Sequence, residues 1–298
     1  MTRLSARQAE SLLDTMRSPG LPDRYRLEAV IGRGGMGVVW RGHDRILDRT
    51  VAVKVVAEHL EGDAYSERLQ RESRILATLE HPGIIPVHDA GILDDGRAWY
   101  AMRLVDGTRL DQAIATFQSL AEALSVMARI AETVAFAHSR GVLHRDLTPA
   151  NVMIGPFGEI LILDWGLASA GMVEAAAMGT PGYRAPEQEA GFPADERSDV
   201  HGLGAIIRDL VEAWPEAVPA ALPAIRDRAM AVDPEQRYRT ALELRDDLNR
   251  LLAGERVSAY RERPLEMLAR ITRPYHFAML LVLAYLAMRI AILWWRGI

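Results

Sequence analysis

Residues 144–151 read His-Arg-Asp-Leu-Thr-Pro-Ala-Asn. In this stretch Asp146 offers a carboxylate that can accept a proton from a hydroxyl group, and Asn151 offers an amide oxygen that can ligate a metal ion. A short apolar run, Ile160–Leu163, is typical of a buried strand, and Asp164 follows it directly. A carboxylate between a strand and a glycine is well placed to hold Mg²⁺ against phosphates, so the region predicts a phosphate-handling site.

A glycine-rich stretch lies upstream, where residues 32–39 read Gly-Arg-Gly-Gly-Met-Gly-Val-Val. Glycines allow backbone N–H groups to approach phosphates closely. A dinucleotide-binding turn has a similar spacing, but its glycines open a helix, whereas these lead into a β-branched strand. The chain also contains no Walker-type Gly-Lys-Ser/Thr sequence. The glycines therefore predict a phosphate-covering loop of a different kind.

A lysine follows on an apolar strand, where residues 51–54 read Val-Ala-Val-Lys. A lysine in such a strand is costly unless its ammonium group has a partner, and either a phosphate or a carboxylate would serve. Glu72 on the following helix is a candidate partner for Lys54. For Glu72 taken alone, a solvated helix face is the competing interpretation.

The secondary-structure signals divide the chain into two parts. Residues 25–105 contain β-branched runs and one helix pattern at residues 63–79, whereas residues 110–250 are mostly of helical periodicity. The pattern predicts an α+β fold with a small β-rich part followed by a larger α-rich part.

The sequence Ala-Pro-Glu at residues 185–187 completes a series of five motifs, which together resemble the signature of Hanks-type protein kinases. The glycine pattern is most similar to that of the bacterial serine/threonine kinases. The resemblance extends over residues 25–252 and implies a two-lobed protein-kinase fold. The implied divisions are a leader at 1–24, an N-lobe at 25–105 and a C-lobe at 106–255.

The resemblance implies binding of ATP and Mg²⁺ and transfer of a phosphoryl group to protein hydroxyls. Asp146 would accept the proton of the substrate hydroxyl, together with Lys54 and Asn151 in the catalytic set, and Asn151 and Asp164 would hold Mg²⁺. The residues implied in ATP binding are Gly32, Gly34, Gly37, Val39, Ala52, Lys54, Glu72, Met102, Val105 and Met153.

Four further positions match structural features of the family. Glu187 and Arg237 correspond to a buried ion pair of the C-lobe, and Asp199 corresponds to the residue that braces the catalytic loop. Trp165 stands where the family usually has phenylalanine, and it can fill the same packing role.

The stretch at residues 144–151, which corresponds to the catalytic loop of the family, departs from the family pattern at Thr148, where serine/threonine kinases carry a lysine that touches the transferred phosphoryl group. Tyrosine kinases place an arginine two residues further on, where this chain has Ala150. Loss of one electrostatic contact to a transition state costs about 3 to 4 kcal/mol, or 10²- to 10³-fold in rate. The sequence therefore predicts a slow kinase.

The activation segment is also unusual, because no Ser, Thr or Tyr lies between Ala170 and Gly179. The candidate phosphorylation positions are Ser169 and Thr180, and Glu174 could stand in for a phosphate. We therefore expect that loop phosphorylation is not the main switch. The sequence Gly-Thr-Pro-Gly-Tyr at 179–183 favours serine or threonine as the acceptor.

The stretch after Leu210, which in the family helps to dock substrates, is shortened.

The C-terminal region combines a basic linker at 256–274 with an apolar segment at 277–295 whose only charge is Arg289. Its length predicts a transmembrane helix at 275–295. The arginines of the linker lie on the kinase side, so the positive-inside rule predicts a single-pass inner-membrane protein with a cytoplasmic kinase domain. The alternative is an apolar helix that docks on the kinase or on a partner.

Composition limits the remaining function classes. The net charge of −5 gives no electrostatic basis for a nucleic-acid partner, and the absence of cysteine excludes disulfides and zinc–thiolate sites. The predicted partners are a protein substrate and, through the C-terminal helix, a membrane; a homodimer is left open. An ATP-binding pseudokinase scaffold is the competing function, and a structural membrane adaptor would leave the metal-binding residues unexplained.

Overall fold

The computed structural model describes residues 19–34, 37–57, 63–165, 179–264, 266–267, 272 and 276–295. The first 18 residues of the predicted leader, glycine-loop positions 35 and 36, and most of the basic linker beyond residue 264 lie outside the described residues. The same is true of Ser169 and Glu174, so the expectations for the activation segment concern residues that the structure does not describe.

The N-lobe is built on a five-stranded antiparallel sheet of strand order β1-β2-β3-β5-β4. Its strands are β1 Tyr25–Arg33, β2 Gly37–Asp44, β3 Arg49–Val56, β4 Val87–Ile92 and β5 Ala98–Arg103. Helix α1, Asp63–Thr78, lies between β3 and β4 in the chain. The predicted division into a β-rich and a helical lobe is confirmed.

Strand β3 is buried on both faces, and the two faces contact different parts of the molecule. Val51, Val53 and Val55 belong to a small N-lobe core with the two tryptophans Trp40 and Trp99. Because side chains alternate along a strand, Ala52 and Lys54 point to the opposite face, where they line the cleft between the lobes. A shift of register by one residue would bury the lysine in the apolar core.

The C-lobe is mainly helical and carries a small three-stranded sheet of order β6-β7-β8. Its strands are β6 Thr108–Arg109, β7 Val152–Ile154 and β8 Ile160–Ile162, and its helices are α2 Leu110–Ala113, α3 Leu120–Ser139, α4 Pro186–Glu189, α5 Glu196–Ala213, α6 Ala221–Ala229 and α7 Ala241–Ala253. Short 3-10 turns occur at Ile114–Thr116, Pro149–Asn151 and Pro234–Gln236.

Helix α5 forms the centre of the C-lobe and supports the catalytic loop. Apolar side chains such as Leu203 and Ile206 are fully buried on it. Gly202 on this helix faces Leu147, since a Cβ atom added at Gly202 would lie 3.0 Å from the Cβ of Leu147. The helix therefore packs directly beneath the loop that carries Asp146.

Helix α6 lies in the shortened stretch after Leu210, where the secondary-structure signals did not predict a helix. Its buried residues Leu222, Ile225 and Ala229 lie at spacings of three and four and face helix α5 and its neighbours. The missed signal was this periodicity, which Pro219 before the helix and Pro223 in its first turn obscured.

The C-terminal segment forms helix α8, His276–Trp295. Large apolar side chains including Leu280, Leu283 and Ile290 are exposed on it. In the part of the chain that the structure describes, no helix meets the length and apolarity needed to cross a bilayer. The predicted helix is thus present, and the predicted membrane span is not supported.

Candidate functional site

A cavity of about 1080 Å³ lies between the two lobes. Nearly all of the predicted site residues line it: Gly32, Gly34, Gly37, Val39, Ala52, Lys54, Met102, Val105, Asp146, Asn151, Met153 and Asp164. Glu72 is the exception, because it lies behind Lys54 and is completely buried. The fold therefore brings both sides of the predicted site into one cleft of the size of a small-molecule site.

Lys54 lies at the centre of a charged cluster on the N-lobe side of the cleft. Its Nζ atom donates to Glu72 Oε1 at 2.9 Å, to Glu72 Oε2 at 3.2 Å and to Asp164 Oδ1 at 3.0 Å. Burial by itself lowers the pKa of the Lys54 ammonium, but the negative charges of Asp164 and Glu72 outweigh burial and hold that pKa well above its ordinary value. The ammonium therefore stays charged, and the predicted pair with Glu72 is present.

Lys54 is also the only lysine of the chain. The rest of its 35 lysines and arginines are arginine. An ammonium is a compact charge on a flexible stem, whereas a guanidinium is a wide planar fork. The compact ammonium donates to the carboxylates of Glu72 and Asp164 together, which accounts for a lysine at this position.

Tyr100 is a member of the cluster that the sequence motifs did not identify. Its hydroxyl donates to Glu72 Oε1 at 2.9 Å, and the residue is buried. Burial and the negative charge of Glu72 raise the pKa of Tyr100 well above its ordinary value, so the hydroxyl remains a donor. The available signal was strand pairing, because Tyr100 lies opposite Lys54 in the β3–β5 register.

Asp146 and Asn151 are joined across the catalytic loop. The Asn151 side-chain amide donates to the backbone carbonyl of Asp146 at 2.9 Å, which uses its donor side and leaves its oxygen as an acceptor. Asp146 Oδ1 accepts the backbone N–H of Thr180 at 2.9 Å. Asp164 has a positive φ of 57°, a conformation that non-glycine residues adopt at a cost and that is often found at functional sites.

Asp199 holds the catalytic loop from beneath. Its carboxylate accepts the backbone N–H groups of His144 at 2.8 Å and Arg145 at 2.7 Å, and it pairs with the His138 ring at 2.7 Å. Burial acts to raise the pKa of Asp199, but the hydrogen bond with His138, the electrostatic influence of the His138 and His144 rings and the Arg145 N–H outweigh burial and lower that pKa. The strained backbone of Arg145, whose φ is 67°, lies within this brace.

Trp165 and His144 pack together between the cleft and α3. The centroids of their rings are 4.8 Å apart, and Trp165 Nε1 donates to the Ile162 carbonyl at 3.2 Å. The indole thus satisfies its one polar group and takes a packing position as the sequence predicts.

Glu187 and Arg237 form the predicted ion pair through two hydrogen bonds of 2.7 Å. Ser198 adds a third donor to Glu187 at 2.8 Å. Burial acts to raise the pKa of Glu187, and the bidentate guanidinium outweighs it and lowers that pKa. The pair connects α4 to the turn before α7 and so fixes the end of the activation segment.

Two glycines of the predicted phosphate-covering loop, Gly37 and Gly34, have different surroundings. A Cβ atom added at Gly37 would meet the Val55 carbonyl oxygen, so the contact with β3 excludes any side chain there. A Cβ atom at Gly34 would meet none of the described residues within 4 Å. Gly34 lines the cavity, and its own N–H donates to the Gly37 carbonyl at 2.9 Å, so the position offers open space for a ligand. Ile31 and Leu163 also line the cavity, and the sequence motifs did not include them.

Comparison with known proteins agrees with this geometry. A family model described as a protein kinase domain matches residues 25–232. The serine/threonine-protein kinase PknD of Chlamydia caviae is 32% identical to this chain, and the match covers 78% of this chain and 31% of that protein. PknD of Chlamydia trachomatis serovar D is 33% identical, and the match covers 78% of this chain and 32% of that protein. The chain thus spans about a third of the length of these curated relatives.

Solved structures give the same result. The kinase domain of Mycobacterium tuberculosis PknI is 30% identical, with a TM-score of 0.62, and the match covers 78% of this chain and 98% of that chain. A second structure of the same domain has a TM-score of 0.63 and covers 80% and 99%.

Proposed function

The chain belongs to the protein kinase domain family, and we propose that it is a serine/threonine protein kinase that transfers the γ-phosphoryl group of Mg-ATP to protein hydroxyls. One observation carries the proposal: the cluster of Lys54, Glu72 and Asp164 and the pair of Asp146 and Asn151 face the same cavity. Phosphoryl transfer requires positioning and charge neutralisation more than covalent chemistry, and these residues supply both.

The residues present fit the nucleotide and the cation. Gly34 leaves open space for close approach of a phosphate, and Lys54 is held as a charged donor at the cavity wall. Asn151 and Asp164 offer an amide oxygen and a carboxylate, which suit a magnesium ion that keeps its other positions for water and phosphate oxygens. Bound Mg-ATP would supply the transferable phosphoryl group and the cation that neutralises its charge.

The protein side chains divide the remaining work. Asp146 is the proton acceptor for the substrate hydroxyl, and its Oδ1 atom is oriented by the Thr180 N–H at 2.9 Å. Glu72 holds Lys54 in place, and Tyr100 holds Glu72. The buried brace at Asp199 keeps the backbone of the loop in its strained conformation.

The rate is expected to be low. Thr148 is buried and neutral, and Ala150 carries no charge, so this loop supplies no cation to the transferred group. An ATP-binding pseudokinase scaffold is the second candidate, and these two positions are the observations that favour it. The retained set of Lys54, Asp146 and Asp164 favours catalysis.

The test is phosphoryl transfer from Mg-ATP to the protein itself and to a generic basic protein, compared between the wild type and Asp146→Asn. Asp94→Asn, which removes a carboxylate from an exposed turn, is the matched control. ATP binding is measured separately, as protection by ATP of the Lys54 amine against a reagent that modifies amines. Lys54 is the only lysine side chain that such a reagent can modify.

Transfer that is lost in Asp146→Asn and retained in Asp94→Asn supports the kinase. If ATP protects Lys54 of the wild type but no phosphoryl group is transferred, the chain is a pseudokinase scaffold. Equal transfer by all three proteins would mean that Asp146 is not the proton acceptor.

The C-terminal helix is proposed as an attachment to the cytoplasmic face of a cell inner membrane. The proposal is supported by the sequence of α8, in which Arg289 is the only charge, and by the exposure of its apolar side chains, which is costly in water. The test is flotation of the full chain with phospholipid vesicles, compared with the variant Leu283→Asp/Ile290→Asp. Leu242→Asp changes an exposed leucine of α7 and is the control. If all of the wild-type protein is recovered in the fraction that contains no vesicles, the proposed membrane attachment is wrong.

A further inference from the structure

Arg184 is a half-buried cation beside the catalytic loop that the kinase motifs do not assign. Its Nη2 atom donates to the Gly179 carbonyl at 2.6 Å. Its Nε atom is buried and, among the residues that the structure describes, has no hydrogen-bond partner. In the same described part of the chain no carboxylate pairs with it. Among the described residues, the positive charge of Arg184 is thus not paired with a carboxylate, and it acts on the groups around it.

The Gly179 carbonyl and the Thr180 N–H belong to the same planar peptide group. The Thr180 N–H donates to Asp146 Oδ1 at 2.9 Å. Arg184 and Asp146 consequently hold opposite ends of one peptide, and the two charged groups lie within about 8 Å of each other. A charged donor on the carbonyl oxygen polarises the amide and strengthens its N–H as a donor.

The backbone at this peptide requires glycine. Gly179 has a φ of 114°, which side-chain-bearing residues rarely adopt, and a Cβ atom there would lie 3.0 Å from Arg184 Nε. The same glycine therefore allows both the orientation of the peptide and the position of the Arg184 side chain. This is expected if Arg184 sets the direction of the Thr180 N–H.

We propose that Arg184 is a positioning residue, which fixes the Gly179–Thr180 peptide so that the Thr180 N–H holds the Asp146 carboxylate in place for the acceptor hydroxyl. The arginine thereby orders the side of the cleft where Thr148 and Ala150 stand at the two loop positions that carry a cation in related kinases. Its effect on catalysis rests on the proposed kinase function, whereas its hold on the peptide does not.

The structural link is tested by amide hydrogen exchange at Thr180 in the full-length protein, comparing wild type with Arg184→Met. Arg208→Met is the matched control, because Arg208 donates to the Gly182 carbonyl at 3.0 Å in the same turn, away from Asp146. We expect exchange at Thr180 to become about tenfold faster in Arg184→Met and to stay unchanged in Arg208→Met. Unchanged exchange in Arg184→Met, or an equal increase in both variants, overturns the proposal.

The catalytic consequence is tested on the same proteins. Arg184→Met is expected to lower kcat by roughly 10- to 100-fold with KM for ATP unchanged, since the acceptor side alone is misplaced. Free guanidinium ion should restore part of kcat to Arg184→Ala, which a general loss of folding would not allow. An unchanged kcat in Arg184→Met overturns the catalytic role. A wild type without transfer would refute the kinase function, and hydrogen exchange would still decide whether Arg184 positions the peptide.

Discussion

The two sides of the cleft differ in how many hydrogen bonds hold their charged groups. We call the cluster around Lys54 the nucleotide side, and the loop around Asp146 the acceptor side. On the nucleotide side, Lys54 contacts two carboxylates and the Tyr100 hydroxyl donates to one of them, so the polar groups of this cluster satisfy one another. On the acceptor side, Asp146 is held by a backbone N–H, and Thr148 occupies the position of the usual cation. Under the proposed kinase function, the groups that would position ATP are all present, whereas the contact with the transferred group is reduced.

The largest effect is expected on the nucleotide side, from Lys54→Met. The substitution removes the cation and leaves Glu72 and Asp164 as neighbouring buried or half-exposed charges without their common partner. We expect kcat/KM for ATP to fall by about 10²- to 10³-fold. Steady-state transfer at varied ATP concentration measures it.

The control for this variant is Arg97→Met, which removes a cation from the β4–β5 turn of the same lobe, where it pairs with Asp95. It should keep the wild-type kcat/KM. A Lys54→Met protein with unchanged kcat/KM and unchanged stability would show that the charged cluster is not the nucleotide site.

A gain is expected on the acceptor side from Thr148→Lys. The new ammonium would supply the missing contact to the transferred group, so we expect kcat to rise about tenfold with KM for ATP little changed. Thermal unfolding checks that the buried site tolerates the longer side chain. An unaltered kcat in a stably folded variant would mean that this chain does not use the contact, and it would weaken the contrast between the two sides.

A smaller loss is expected from Tyr100→Phe, which deletes one hydroxyl and keeps the ring. Glu72 loses a donor but keeps Lys54, so kcat/KM should fall by about five- to tenfold. The matched control is Tyr238→Phe, which removes a buried hydroxyl bonded to Asp247 in the C-lobe and should lower stability without changing kcat/KM. Equal activity of Tyr100→Phe and wild type would restrict Tyr100 to a packing role.

The predicted residues of the cleft were found because they lie in short motifs with a fixed chemical order. The residues that were missed lie outside such motifs. Tyr100 reaches Glu72 only because β5 pairs with β3, and a tyrosine in a strand normally indicates packing alone. Arg184 reaches Asp146 only through a peptide whose conformation no sequence pattern specifies. Helix α6 is a third case, because Pro223 in its first turn masks the helical periodicity of its buried residues.

The sequence by itself determined the family, the two-lobed α+β fold and the identity of most groups that line the cleft. It did so because glycines, a lone lysine, carboxylates and an amide occur in an order that only one kind of site requires. The tertiary structure alone decided which of these groups touch. Lys54 and Asp164 are 110 residues apart in the chain and 3.0 Å apart in space. Charge, burial and hydrogen bonding act over a few ångströms, and only the packing of separate strands and helices sets such distances.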